Sequence, residues 1–129
     1  MSQTEYMLDT ETCIHLINRH PKVRRQARPT QCAISVIVFG ELELAACRSD
    51  RADLISAFTD RISIVDLERG IGGVYAELRA YMEREEKVVR PNGLWTAAHA
   101  SMLGRTLVVM KPQVYAGIPE LKVTTWLGD

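Results

Sequence analysis

The sequence predicts an α/β fold built on an open, doubly wound, mostly parallel sheet. Three observations carry that prediction. Short apolar runs such as residues 6–8, 32–34 and 106–110 alternate with stretches of helical spacing. The runs are continuously apolar, as expected of strands covered by helices on both faces. The alternation continues from end to end with no linker, repeat or low-complexity stretch, so the 129 residues read as one domain, 1–129.

Taken in order, Tyr6-Met7-Leu8 reads as a first strand that ends at Asp9. Thr10 is the expected N-cap of a helix running to about residue 20, where Pro21 stops it. Residues 22–28 form a short basic helix closed by Pro29, and Cys32-Ala33-Ile34 a second strand. Ser35 caps a helix over residues 36–48, with Val38, Leu42 and Ala45 on one face, and a further helix covers residues 50–58. Residues 62–65 form a third strand, and helical spacing returns over residues 70–87. Arg90-Pro91-Asn92-Gly93 is turn chemistry, from which Asn92 caps a helix over residues 94–103 that stops at Gly104. A fourth strand over residues 106–110, a loop over 111–119 and a fifth strand over 121–126 complete the chain.

Sixteen basic residues balance sixteen acidic ones, so no global charge marks the chain for nucleic acid or membrane, and any RNA contact must come from a local patch. The main basic cluster is Lys22, Arg24, Arg25 and Arg28, either a solvated helix face or a contact for RNA backbone. Cys13, Cys32 and Cys47 are odd in number and widely spaced among apolar neighbours, which reads as buried free thiols in a reducing cytoplasm. The first five residues carry no leader pattern, and no apolar stretch approaches the ~20 residues that span a bilayer.

Chemistry in such a sheet gathers outside the carboxyl ends of the strands, where strand order reverses. Asp9 stands there, as either a functional carboxylate or a helix cap. Glu41 follows Gly40 inside an otherwise apolar helix; a mid-helix glycine costs roughly 1 kcal/mol and suggests a close approach. Glu43 lies about 200° further round the helix and reads as solvated. His99 reads as a packed or hydrogen-bonded histidine, and Trp95 and Trp126 as core or interface aromatics.

These residues carry a resemblance. Tyr6-Met7-Leu8-Asp9-Thr10, Ala33-Ile34-Ser35 with Glu41-Leu42-Glu43, Pro91-Asn92-Gly93 before an alanine-rich helix, Leu107-Val108-Val109, and Pro119-Glu120-Leu121 to Trp126 resemble, in order, the motifs of the PIN family and its VapC-type toxins. The resemblance implies a five-stranded PIN-like sheet and metal-dependent cleavage of RNA, with Mg²⁺ or Mn²⁺ held by three or four carboxylates. It also implies a homodimer and a small antitoxin protein as partner. Asp9 and Glu41 match the first two acids.

The match fails at the other two acids. Gly93 stands where the third acid is expected, and Val109-Met110-Lys111 where the family has a threonine followed by polar or acidic residues. Two outcomes are open for this degenerate site. Lys111, with Arg90, stands in as counter-charge for the metal, or both cations point into solvent. Glu11 rebuilds a three-carboxylate site with Asp9 and Glu41, or it is a first-turn glutamate favoured by the helix dipole. Two functions stay open as well: an endoribonuclease toxin with Mg²⁺ or Mn²⁺ on Asp9 and Glu41, or an inactive PIN protein, without cofactor, that works by binding an antitoxin or a related PIN protein.

Overall fold

The computed structural model describes residues 5–128; Met1–Thr4, most of the segment read as lacking a leader, and Asp129 lie outside the described residues. Five strands form one sheet: β1 (Tyr6–Leu8), β2 (Cys32–Ser35), β3 (Ser63–Val65), β4 (Thr106–Val108) and β5 (Val123–Thr124). Their order is β3-β2-β1-β4-β5, and all four pairings are parallel. The expected sheet is therefore present, and parallel throughout.

Strand pleating divides the core in two. Met7, Ala33, Leu107 and Val109 face one layer, made with Ile71, Leu78 and Met82 of α5 (Arg69–Arg84) and Leu94, Ala97 and Ala98 of α6 (Pro91–Leu103). Leu8, Cys32, Ile34, Val108 and Met110 face the other, made with Cys13 of α1 (Thr10–Ile17), Val23 of α2 (Pro21–Gln26), Val38 and Leu42 of α3 (Val36–Cys47) and Ile55 of α4 (Ala52–Thr59). Adjacent residues of each inner strand thus serve opposite layers, which explains why the strands are apolar without a break.

Several element ends differ from those expected. Asp9, not Thr10, caps α1: its backbone is extended and its carboxylate accepts a hydrogen bond from Thr12 N at 2.8 Å. The helix ends at Ile17 rather than near residue 20, because Arg19 takes a positive φ of 60° that turns the chain into α2. Pro21 and Pro91 each occupy the first helical positions of α2 and α6 instead of lying outside them, since a proline's missing N–H costs nothing there. Asn92 is therefore inside α6 and not its cap. Residues 112–115 form a 3₁₀ turn within the expected loop, and β4 and β5 are shorter than expected. Ser35 caps α3 through a 3.1 Å bond from Ile37 N, and Gly104 ends α6 at φ 67°, both as expected.

Two readings are corrected. Cys47 is exposed at the C-terminal end of α3, while Cys13 and Cys32 are buried; burial pushes both inner thiols up from their usual value. Gly40 serves no close approach. It is exposed, and a Cβ built there meets nothing within 4 Å. Gly40→Ala is accordingly expected to stabilise the protein by ~0.5–1 kcal/mol, read as a higher urea midpoint at unchanged slope. A lower midpoint would show that the glycine has a role in the free chain after all.

Candidate active site

β1 and β4 lie side by side, although the chain runs outward through β2 and β3 before it returns to β4. Strand order reverses between them, and a cleft of about 800 Å³ opens at their carboxyl ends. Asp9 N donates to Val108 O at 3.1 Å, and the buried Thr12 hydroxyl donates to the same carbonyl at 3.0 Å. The start of α1 is thereby fixed to the end of β4. This anchoring, together with the cap bond to Thr12 N, leaves the Asp9 carboxylate half-buried in the cleft wall.

Glu41 arrives from α3, and the Thr10 hydroxyl donates to its Oε1 at 2.5 Å. Asp9 and Glu41 thus meet from elements separated by 31 or more residues, and Thr10 holds the second acid in place beside the first. Glu43 is exposed and takes no part. Burial pushes the Asp9 carboxyl up; the bonds from Thr12 pull it down, while Glu11 and Glu41 add to the rise. Asp9 is therefore a half-buried carboxylate with two further acids in its field.

The cleft also contains Glu11, Arg90, Gly93 and Lys111. Lys111 and Arg90 are exposed and, among the described residues, make no ion pair with Asp9 or Glu41 within 4.0 Å. Of the two outcomes open for these cations, the structure has the solvated one: both stand exposed at the rim. Among the described residues, no three His, Cys, Asp or Glu side chains come close enough to hold one ion, so Glu11 does not complete a rebuilt cage. It sits in the first turn of α1, where the helix dipole favours it. Val109 is buried in the core and presents nothing to the cleft. Lys22, Arg24, Arg25 and Arg28 are exposed and line no part of it.

Two carboxylates with open positions beside them suit a divalent ion that keeps several waters and takes further oxygens from a substrate phosphate, which is how Mg²⁺ is commonly bound. The donor set does not suit an ion that needs a full protein cage.

Tyr115 was missed by sequence reasoning. It comes from the 3₁₀ turn Pro112–Tyr115, and its hydroxyl lies 2.9 Å from where a Cβ on Gly93 would stand. Burial pushes its phenol up to about 12, with Asp9, Glu11 and Glu41 adding to the rise, so it stays protonated near neutrality. The only available signal was a lone aromatic in a two-proline loop behind the fourth motif.

His99 is fully buried, its Nδ1 2.8 Å from the Ser35 hydroxyl that caps α3, which supports the hydrogen-bonded reading. Burial lowers its pKa from the usual 6.5; Arg105 lowers it further, and Glu68 opposes. The folded protein therefore binds fewer protons than the unfolded chain. Stability should be complete above the unfolded value and fall as pH drops through the folded one. Urea midpoints below pH 6.5 should decline in the parent and decline less in His99→Gln.

No family model matches the chain. Individual proteins do. It is 31% identical to the ribonuclease VapC2 of Rickettsia felis over 130 residues, spanning 94% of this chain and 97% of that protein. The chain belongs to the VapC ribonuclease family. It is also 26% identical to the tRNA(fMet)-specific endonuclease VapC of Salmonella typhimurium, over 95% of this chain and 98% of that one. The fold agrees: the VapBC complex of Salmonella typhimurium bound to DNA superposes with a TM-score of 0.89 at 25% identity, covering 95% of this chain. VapBC2 of Rickettsia felis, bound to a promoter fragment, superposes at 0.81 with 28% identity, covering 94% of this chain. The likeness to VapC proteins spans both chains nearly end to end.

Proposed function

We propose that this protein is the toxin of a toxin–antitoxin module and an endoribonuclease dependent on Mg²⁺ or Mn²⁺. The observation that carries the reading is the convergence of Asp9 and Glu41 at the strand-order reversal of a VapC fold, held together by Thr10. Asp9 and Glu41 would hold the ion. The chemistry that such an ion would supply is water activation and stabilisation of charge on the scissile phosphate. Thr12 N and the Thr10 hydroxyl orient the two carboxylates, so neither must be ordered when substrate arrives. Arg90 and Lys111 at the rim supply positive charge to draw the RNA backbone toward the acids.

Chain 1–129 acts as one domain in this reading, with a small antitoxin as partner; the VapBC complexes that it resembles support that partnership. Among the described residues no helix is long and apolar enough to cross a membrane, which is consistent with action on cytoplasmic RNA.

Incubation of the purified, antitoxin-free protein with mixed RNAs tests the reading. Cleavage in Mg²⁺ or Mn²⁺ that stops on chelation is expected, with growth arrest when the chain is expressed without its antitoxin. RNA left intact under both metals, with no growth arrest, would leave a binding role for this fold.

A further inference from the structure

The missing third acid leaves a space, and the structure fills it. A Cβ built on Gly93 would lie 2.9 Å from the Tyr115 hydroxyl and 3.0 Å from Val89 Cγ1, both closer than side chains normally pack. The ring carbon bearing the hydroxyl is at 3.8 Å, an ordinary contact, so on the tyrosine side the oxygen alone is in the way. The backbone behind that ring is tied down. The Tyr81 hydroxyl donates to Gly117 O at 2.8 Å, and Lys87 Nζ donates to Ala116 O at 3.4 Å, fixing the two residues after Tyr115. Among the described residues the Tyr115 hydroxyl has no hydrogen-bond partner, although it lines the acid cleft.

The charges of the cleft make a neutral donor useful. Three carboxylates, Asp9, Glu11 and Glu41, face two rim cations, Arg90 and Lys111. Before an ion is bound, a phosphodiester entering this cleft meets an excess of negative charge. A third carboxylate would add to the repulsion, whereas a phenolic O–H adds none and can donate to a phosphate oxygen.

We propose that Gly93 and Tyr115 form one unit, in which the Tyr115 hydroxyl takes the third acid's place and donates a hydrogen bond to a phosphate oxygen of RNA bound in the cleft. The inference rests on RNA as substrate but not on catalysis. Loss of the carboxylate at position 93 is thus coupled to the hydroxyl at 115, and restoring the acid alone does not restore the site.

Two measurements test this. The first is the affinity for a fluorescein-labelled single-stranded RNA, read by anisotropy with Ca²⁺ in place of Mg²⁺ so that binding is separated from cleavage. Tyr115→Phe keeps the ring and should weaken binding about tenfold, as expected for one hydrogen bond to a charged group. The second is Mn²⁺ affinity by calorimetry. Gly93→Asp alone should change it by less than threefold, while Gly93→Asp with Tyr115→Phe should raise it about tenfold, because the closer contact is then gone and only Val89 Cγ1 has to give by a few tenths of an ångström. Failure of Gly93→Asp to fold, with folding recovered in the double variant, would support the coupling equally. Unchanged RNA affinity in Tyr115→Phe, no RNA binding by either protein, or Mn²⁺ binding by Gly93→Asp as tight as by the double variant would overturn the proposal. Tight RNA binding lost in Tyr115→Phe, from a parent that never cleaves, would sink only the nuclease reading.

Discussion

Asp9→Asn is expected to leave the fold intact and to reduce metal-dependent RNA cleavage by ~10³-fold, equivalent to about 4 kcal/mol of transition-state stabilisation. Asp9 has two roles that this substitution separates. Its Oδ1 caps α1 by accepting from Thr12 N at 2.8 Å, and asparagine caps nearly as well. Its negative charge faces the cleft with Glu41, and asparagine lacks that charge. Asp9→Ala removes both and should lose a further ~1 kcal/mol of folding stability. Single-turnover cleavage rates measure the first effect and urea unfolding the second. Equal stability loss in the two variants would mean that the cap bond contributes little.

Leu8→Ala carries the largest expected effect on stability, ~2–5 kcal/mol, because Leu8 is wholly buried in the central strand and its removal leaves a cavity between sheet and helices. Total stabilities are commonly about 5–15 kcal/mol, so the variant should be close to unfolding. It also lies next to Asp9, so activity should fall along with stability. Val88→Ala, at 88% exposure, is the contrasting case and should stay within about 0.5 kcal/mol of the parent. Urea midpoints of the two variants check both values.

The sheet was legible in the sequence because its strands serve two layers at once. Met7 and Leu8 pack to opposite sides, so each strand is a short apolar run bounded by turn or capping residues. Ser35 and Gly104 were legible as helix ends for the same local reasons. Boundaries set by tertiary contacts were not. Asp9, not Thr10, caps α1 because its backbone is held extended at the end of β1, where Asp9 N donates to Val108 O across the sheet, so that Thr10 is already helical. Of the candidate site, Asp9, Glu41 and Gly93, which the fold brings to one cleft, are all legible in the sequence. Tyr115 is not, because its link to Gly93 is a matter of space between two segments 22 positions apart. Gly40 misleads because the cost of a helical glycine suggests crowding, whereas within the chain its position is exposed and a Cβ there meets nothing within 4 Å.

Mn²⁺ binding by the free protein, set against its Asp9→Asn, Glu41→Gln and Glu11→Gln variants, addresses most directly whether two carboxylates form the metal site. One weak site is expected, lost in Asp9→Asn and in Glu41→Gln and largely retained in Glu11→Gln. No binding by the parent, or equal loss in Glu11→Gln, would contradict a two-carboxylate centre.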